Sequence, residues 1–280
     1  VRRIGGVSQL ADDLALALAL ADRADEMTMA RFRAIDLKVD TKPDMSPVSD
    51  ADTAVERTLR EQIATVRPGD TVLGEEYGSQ EPPESGRRWI IDPIDGTQSY
   101  VRGVPVWATL IALEDHGEPV IGVASAPALD RRWWAARGDG AHARHGDPSA
   151  PARRISVSAI ADLADAQACF GGLEEWERHG RLANLQALSR QVWRTRGYGD
   201  FWQYMLVAEG AAEIASDPSV SVWDLAAPLV IVTEAGGRFS DYTGAQTAFG
   251  SSGLATNGLL HEAARTILAG PAGDEAFDER

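Results

Sequence analysis

The chain has 280 residues, of which 44% are hydrophobic and 25% charged, and it carries a formal net charge of -15. That is ample for a large core in one big domain or two lobes, and it is the composition of a globular protein. The acidity argues against a nucleic-acid or anionic-membrane surface, the single cysteine excludes an internal disulfide framework, and no stretch approaches the ~20 apolar residues that span a bilayer.

In chain order, residues 8 to 35 are rich in Ala, Leu and charge with few breakers, and read as one long amphipathic helix. Arg2 and Arg3 ahead of the apolar run Leu14 to Leu20 give it a superficial likeness to a secretion signal. Asp12 and Asp13 intervene and no cleavage site follows, so an ordinary cytoplasmic helix is expected. Ile35 to Val39 reads as a short strand and Thr41 to Pro47, with two prolines, as an exposed mobile loop. Ser49 to Asp52 has the form of a capping box, which starts a helix through Val66 and puts Asp52 in its first turn. Thr71-Val72-Leu73 is a short strand feeding Gly74-Glu75-Glu76, and a polar loop spans Ser79 to Gly86.

Trp89-Ile90-Ile91 is a β-favouring apolar run that leads into Asp92-Pro93-Ile94-Asp95-Gly96-Thr97. Pro93 has no N–H to donate, so the ladder is expected to stop near Asp92. Two carboxylates at a strand end repel and want a cation, for which oxygen-loving Mg²⁺ is suited, and a helix opening at Gly96-Thr97 would add an anion site. The alternative is an acidic turn that merely caps a helix. Beyond it, Val106 to Leu113, Val120 to Ser125 and Arg132 to Ala136 read as strands, and Gly138 to Ala152 as a boundary between lobes. After it come strand Arg154 to Ser158, strand Gln167 to Phe170 holding Cys169 as a small core residue, helix Glu174 to Ser189, strand Val192 to Thr195 and helix Asp200 to Ala208. This alternation indicates an α/β lobe, 151–280, following an α+β lobe, 1–150. A last helix opens near Asp224, tolerates Pro228 in its first turns and ends at Gly236-Gly237.

Gly74-Glu75-Glu76, Trp89 to Thr97, and Trp223-Asp224-Leu225-Ala226-Ala227 followed by Glu234-Ala235-Gly236-Gly237 resemble, in order and spacing, the motifs of the inositol-monophosphatase family. Lys42 to Glu56 forms a fourth point of likeness. The resemblance implies a layered αβαβα sandwich of α/β class and Mg²⁺-dependent hydrolysis of a small phosphate monoester, in a cytoplasmic homodimer. By position it assigns Glu75, Asp92 and the Ile94 carbonyl to a first metal site and Asp92, Asp95 and Asp224 to a second. A third, weaker ion would fall to Glu75 and Asp52. Thr97 and Asp52 would orient the attacking water, Glu75 and Asp95 would complete the catalytic set, and the Gly96 and Thr97 amides would hold the phosphate. None of His116, His142, His145, His179 or His261 lies in these motifs.

Tyr100 to Trp107, and Tyr198-Gly199-Asp200-Phe201-Trp202-Gln203-Tyr204, are similar to the histidinol-phosphate phosphatases of this family rather than its inositol-specific members. Asp200 and Asp217 suit a substrate ammonium better than neutral hydroxyls, since charge-assisted hydrogen bonds are the stronger kind. Phe201, Trp202 and Tyr204 offer an aromatic wall to an imidazole. Other readings stay open: Asp200 as a helix N-cap with core aromatics, Lys42 as a solvated lysine or one that reaches the site, a broad inositol- or sugar-monophosphate phosphatase, and a partner protein of the transcription or translation machinery. Gln98-Ser99-Tyr100 departs from the family's usual residues at positions that follow the ligands.

Overall fold

The computed structural model describes residues 4–43, 45–79, 86–146 and 149–271. Arg2, Arg3, Asp44 and most of the Ser79 to Gly86 loop lie outside them.

Helix α1 (Ile4–Arg31) is followed by a two-stranded antiparallel hairpin, β1 (Val39–Thr41) and β2 (Pro47–Ser49), and by α2 (Asp50–Val66). Next come β3 (Thr71–Gly74), β4 (Gly78–Ser79), β5 (Arg87–Asp95), α3 (Thr97–Val101), β6 (Ala108–Asp115), β7 (Glu118–Ala126), β8 (Arg131–Ala136), β9 (Gly140–His145) and β10 (Arg153–Ile155). These strands, the hairpin aside, make an eight-stranded sheet in the order β10-β9-β8-β7-β6-β5-β3-β4, with β3 and β5 parallel and the other pairs antiparallel.

The second half runs β11 (Gln167–Phe170), α4 (Leu173–Arg178), α5 (Leu182–Ser189), β12 (Arg194–Gly197), α6 (Asp200–Ala208), β13 (Ile214–Asp217), α7 (Val222–Glu234), β14 (Arg238–Ser240), β15 (Gly253–Thr256) and α8 (His261–Ala269). Its five-stranded sheet has the order β12-β11-β13-β15-β14; β11 is parallel to both its neighbours and β15 antiparallel to both of its own.

The period-2 alternation of β5 explains the layering, because Ile90 and Ile91 must face opposite sides. Trp89, Ile91, Ile111 and Val123 meet Leu20 of α1 and Val55, Leu59 and Ile63 of α2. Ile90, Leu110, Ala124 and Trp133 meet Phe201 of α6 and Leu225 and Ile231 of α7, which also cover Phe239 and Ala255 of the second sheet. The far face of that sheet lies under Trp176, Leu185 and Leu188 of α4 and α5, and Ala264 and Leu268 of α8. The result is an αβαβα sandwich with α6 and α7 as the shared middle layer. At Gly122 on β7 an added Cβ would stand 2.4 Å from the Ala227 carbonyl, so α7 lies on the sheet backbone to backbone. Among the described residues no helix is long and apolar enough to cross a membrane.

The capping box closes as expected: Ser49 Oγ accepts from the Ala51 amide at 3.2 Å, Asp52 returns to the Ser49 amide, and α2 ends at Val66. Four expectations need correction. Ile35 sits exposed in a turn with no strand opposite it, and β1 begins at Val39. Strand β5 continues through Pro93 to Asp95, because the register with β6 shifts between Asp92 and Asp95 and leaves Pro93 no ladder bond to supply. Helix Glu174 to Ser189 is two helices, broken where Gly180 takes φ 66°. Gly138 to Ala152, rich in small residues, contains β9, and the strand read at Arg154 is β10 on the edge of the first sheet.

Candidate metal centre and active site

Strand β5 delivers Asp92 and Asp95 to one end of the first sheet, and the chain then turns through Gly96 at φ 82° into α3. A Cβ on Gly96 would lie 3.1 Å from both the Val106 carbonyl and Asp200 Oδ2, so only glycine fits this corner. Helix α7 brings Asp224 from the middle layer. Asp224 is the acid of a capping box, its Oδ2 accepting from the Ser221 amide at 2.8 Å, and this fixes the direction of its carboxyl.

One carboxylate oxygen from each of Asp92, Asp95 and Asp224 lies within 4.8 Å of the others. Asp92 and Asp95 are 2% and 7% exposed. Their hydrogen bonds come from backbone amides, Ile94 to Asp92 Oδ1 at 2.9 Å and Phe201 to Asp95 Oδ2 at 2.6 Å. Burial first, and the neighbouring acids second, push both carboxyls well above the usual carboxylate range. Asp224, half-buried as a residue but enclosed at its carboxyl, is pushed up to about 7 by burial, against the Ser221 hydrogen bond and with the help of the surrounding acids. An all-oxygen donor set that accumulates negative charge matches a hard divalent cation of the Mg²⁺ kind, with the Ile94 carbonyl as a further oxygen.

Asp52, fully buried, faces the same space from α2. The Thr97 hydroxyl stands 3.2 Å from Asp52 Oδ1 and 2.9 Å from the Ile94 carbonyl. Burial raises the Asp52 carboxyl to about 6, opposed by hydrogen bonds from the Ser49 amide and hydroxyl and increased by the charge of Glu75.

Glu75 follows β3, its amide donating to the Ile91 carbonyl at 3.2 Å. It stands apart from the three-carboxylate cluster but close enough that its charge raises Asp92. Lys42 from the hairpin donates to Glu75 Oε1 at 2.6 Å and Glu76 Oε1 at 2.7 Å, so it is neither a freely solvated lysine nor a group reaching into the cluster. Burial raises the Glu76 carboxyl to about 7, even with Lys42 bonded to it.

Asp200 takes a left-handed φ of 48° at the first position of α6. Gly199 is the N-cap and no side chain caps this helix, so the N-cap reading of Asp200 falls. Asp200 is exposed as a residue, but its carboxyl turns in against Gly96, where local enclosure raises it to about 6. Asp217 lies deeper: Oδ1 accepts from the Gly171 amide at 3.2 Å, and Oδ2 from the Tyr204 hydroxyl at 2.8 Å and from Gln203 Nε2. Burial lifts it to about 6, with those donors opposing. Phe201 and Tyr204 are fully buried between the sheets, against Trp133 and Phe239, and do not form the expected aromatic wall. Trp202 is half-buried beside Tyr198, their ring centroids 5.3 Å apart. The histidines lie elsewhere. His261, for example, is buried between Ser240 and Thr256 and pushed down to about 4 by burial. Cys169 is buried on β11.

The sequence reading missed Glu56. It is fully buried on α2 and accepts hydrogen bonds from the amides of Glu76 and Tyr77 at 2.7 and 3.2 Å. Its place four residues after Asp52, on the same helix face, was the available signal.

Against known proteins, the model of the inositol monophosphatase family matches residues 9–271. A histidinol-phosphatase of Mycobacterium tuberculosis is 56% identical over 92% of this chain and 98% of its own, and one of Streptomyces coelicolor is 52% identical over 90% and 94%. Among solved structures, the extragenic suppressor protein SuhB of Bartonella henselae superposes with a TM-score of 0.83 at 28% identity, over 92% of this chain and 98% of that one.

Proposed function

The chain belongs to the inositol monophosphatase family and is a phosphatase, and from that premise we propose that it hydrolyses L-histidinol phosphate to L-histidinol and phosphate in histidine biosynthesis. The observation that carries the chemistry is the convergence of Asp92, Asp95 and Asp224 beside the Thr97 and Asp52 pair. The family is metal-dependent, and the resident ion here is proposed as Mg²⁺, two to three per site. Asp92, Asp95, Asp224, Glu75, Asp52 and the Ile94 carbonyl are the groups proposed to hold it. Bound there, Mg²⁺ lowers the pKa of a water and neutralises charge on the phosphoryl oxygens.

This chain's own residues do the rest. Thr97, its hydroxyl between Asp52 and the Ile94 carbonyl, orients the attacking water, and Asp52 accepts the proton through it. The Gly96 and Thr97 amides at the start of α3 face the phosphate. Asp200, its carboxyl free of hydrogen-bond donors among the described residues, receives the substrate ammonium. Asp217 shapes that end of the site through Tyr204 and Gln203, and Trp202 offers a face to the imidazole. We also propose a cytoplasmic homodimer, divided into lobes near residue 150 with β10 reaching back to the first sheet.

The test is phosphate release from L-histidinol phosphate and inositol 1-phosphate, each with Mg²⁺ and with chelator. A preference of at least about a hundredfold in kcat/KM for histidinol phosphate, about 2.7 kcal/mol, is expected and should disappear with chelator. Equal rates on both would favour a broad monophosphatase with the same metal chemistry. Release from neither would favour a binding role toward the transcription or translation machinery.

A further inference from the structure

Helix α2 reaches the site twice. Asp52 faces Thr97, and one turn later Glu56 grips the turn that carries Glu75. Glu56 Oε2 accepts the Glu76 amide at 2.7 Å, while Oε1 accepts the Tyr77 amide at 3.2 Å and Arg60 Nε at 2.7 Å. Arg60 extends from there to the carbonyls of Val72 at 3.2 Å and Gly78 at 2.5 Å, which bracket the same turn on both sides. A Cβ on Gly74 would stand 2.0 Å from Glu56 Oε1, so any side chain before Glu75 would push the Glu56 carboxylate out of place.

A buried carboxylate needs donors, and Arg60 alone would satisfy much of that need. Glu56 instead spends one oxygen on the amide of the peptide that joins Glu75 to Glu76. That bond, together with the Glu75 amide held on the Ile91 carbonyl at 3.2 Å, clamps the peptides on both sides of the Glu75 Cα and so fixes where its side chain leaves the backbone. We propose that Glu56 is the positioning residue for Glu75, setting the direction of its carboxylate through the backbone, with Gly74 and Arg60 as the space and counter-charge that permit it. This rests on the reading of Glu75 as a metal ligand.

Glu56→Gln keeps the volume but leaves one oxygen for what two now accept, and it turns an NH₂ toward an amide N–H. The metal-free chain and its variants Glu56→Gln, Gly74→Ala and Glu75→Gln, each checked for cooperative thermal unfolding, would be titrated with Mn²⁺ by calorimetry. Loss of an outer partner of a ligand typically costs about 10–100-fold in metal affinity, so Glu56→Gln is expected to bind at least about tenfold more weakly. Its kcat should recover at saturating metal, and the Glu76 and Tyr77 amides should exchange hydrogen faster than in the parent chain. Gly74→Ala, which displaces Glu56 sterically, should weaken binding likewise and serves alone if Glu56→Gln does not fold. Its combination with Glu56→Ala should be no weaker than either single change. Parent-like Mn²⁺ affinity in Glu56→Gln or Gly74→Ala, alongside weakened binding in Glu75→Gln, overturns the positioning role. Parent-like affinity in Glu75→Gln overturns the ligand reading beneath it.

Discussion

Two groups of aspartates flank the first sheet, one paired with arginines and one clustered at a strand end, and their surroundings differ in kind. On the α1 side, Asp13 is fully buried, with Oδ1 2.9 Å from Arg67 and Oδ2 2.6 Å from Arg87, while Asp22 and Asp25 share Arg132 at 2.6 Å each. At the end of β5, no described lysine or arginine pairs with Asp92, Asp95 or Asp224, and the charges acting on them are mainly those of other acids. The difference teaches what each group is for. Where a buried carboxylate serves the fold, the chain supplies its own cation; where the chain withholds one, the arrangement supports the proposal of a cation from outside.

Asp95→Asn should break the comparison most sharply. Activity is expected to fall by on the order of 10²–10³-fold or more, as when a preorganised charge-stabilising group is removed, while the metal-free chain unfolds at an unchanged or higher temperature. Calorimetry alongside turnover would show it, and a variant that kept its activity would remove Asp95 from the mechanism. Asp13→Asn should give the opposite signature: about 3 kcal/mol of lost stability from two guanidinium groups left short of a partner, a Tm lower by roughly 5 °C, and near-normal turnover in the folded chain at low temperature.

A third contrast lies in the dependence on pH. The Asp52, Asp200 and Asp217 carboxyls at about 6 and Asp224 at about 7 stand above their unfolded value of 3.8, so between those values the native state holds more protons than the unfolded state. Stability of the metal-free chain should therefore fall as pH rises from about 4 to 7 and level off above. Added Mg²⁺ should flatten that slope, so the gap in Tm between loaded and chelated protein should widen toward alkaline pH. An identical slope with and without metal would mean that these carboxyls do not face the ion.

The same contrast explains what could be read from the sequence. The run Asp92 to Thr97 was legible because proline, glycine and acids at fixed spacing leave few conformations, and Ser49 to Asp52 because capping chemistry is local. Phe201 and Tyr204 stayed open between an aromatic wall and the core, because nothing in α6 itself says that it lies between two sheets. Strands β13, β14 and β15 went unread because runs of three or four residues in the interior carry too little alternation to register. Glu56 had no role read for it, since its meaning depends on a turn that begins eighteen residues later.

The contact at Gly122 has a consequence for the metal centre. Helix α7 carries Asp224, and where it crosses β7 there is no side chain between them, only the main chain of one against the Ala227 main chain of the other. A spacer built from side chains can yield by changing rotamer, whereas one built from two peptide backbones has a fixed thickness. The height at which Asp224 hangs over Asp92 and Asp95 is thus gauged by bond lengths rather than by packing, and a single methyl group at residue 122 would change the spacing of the three carboxylates without touching any of them.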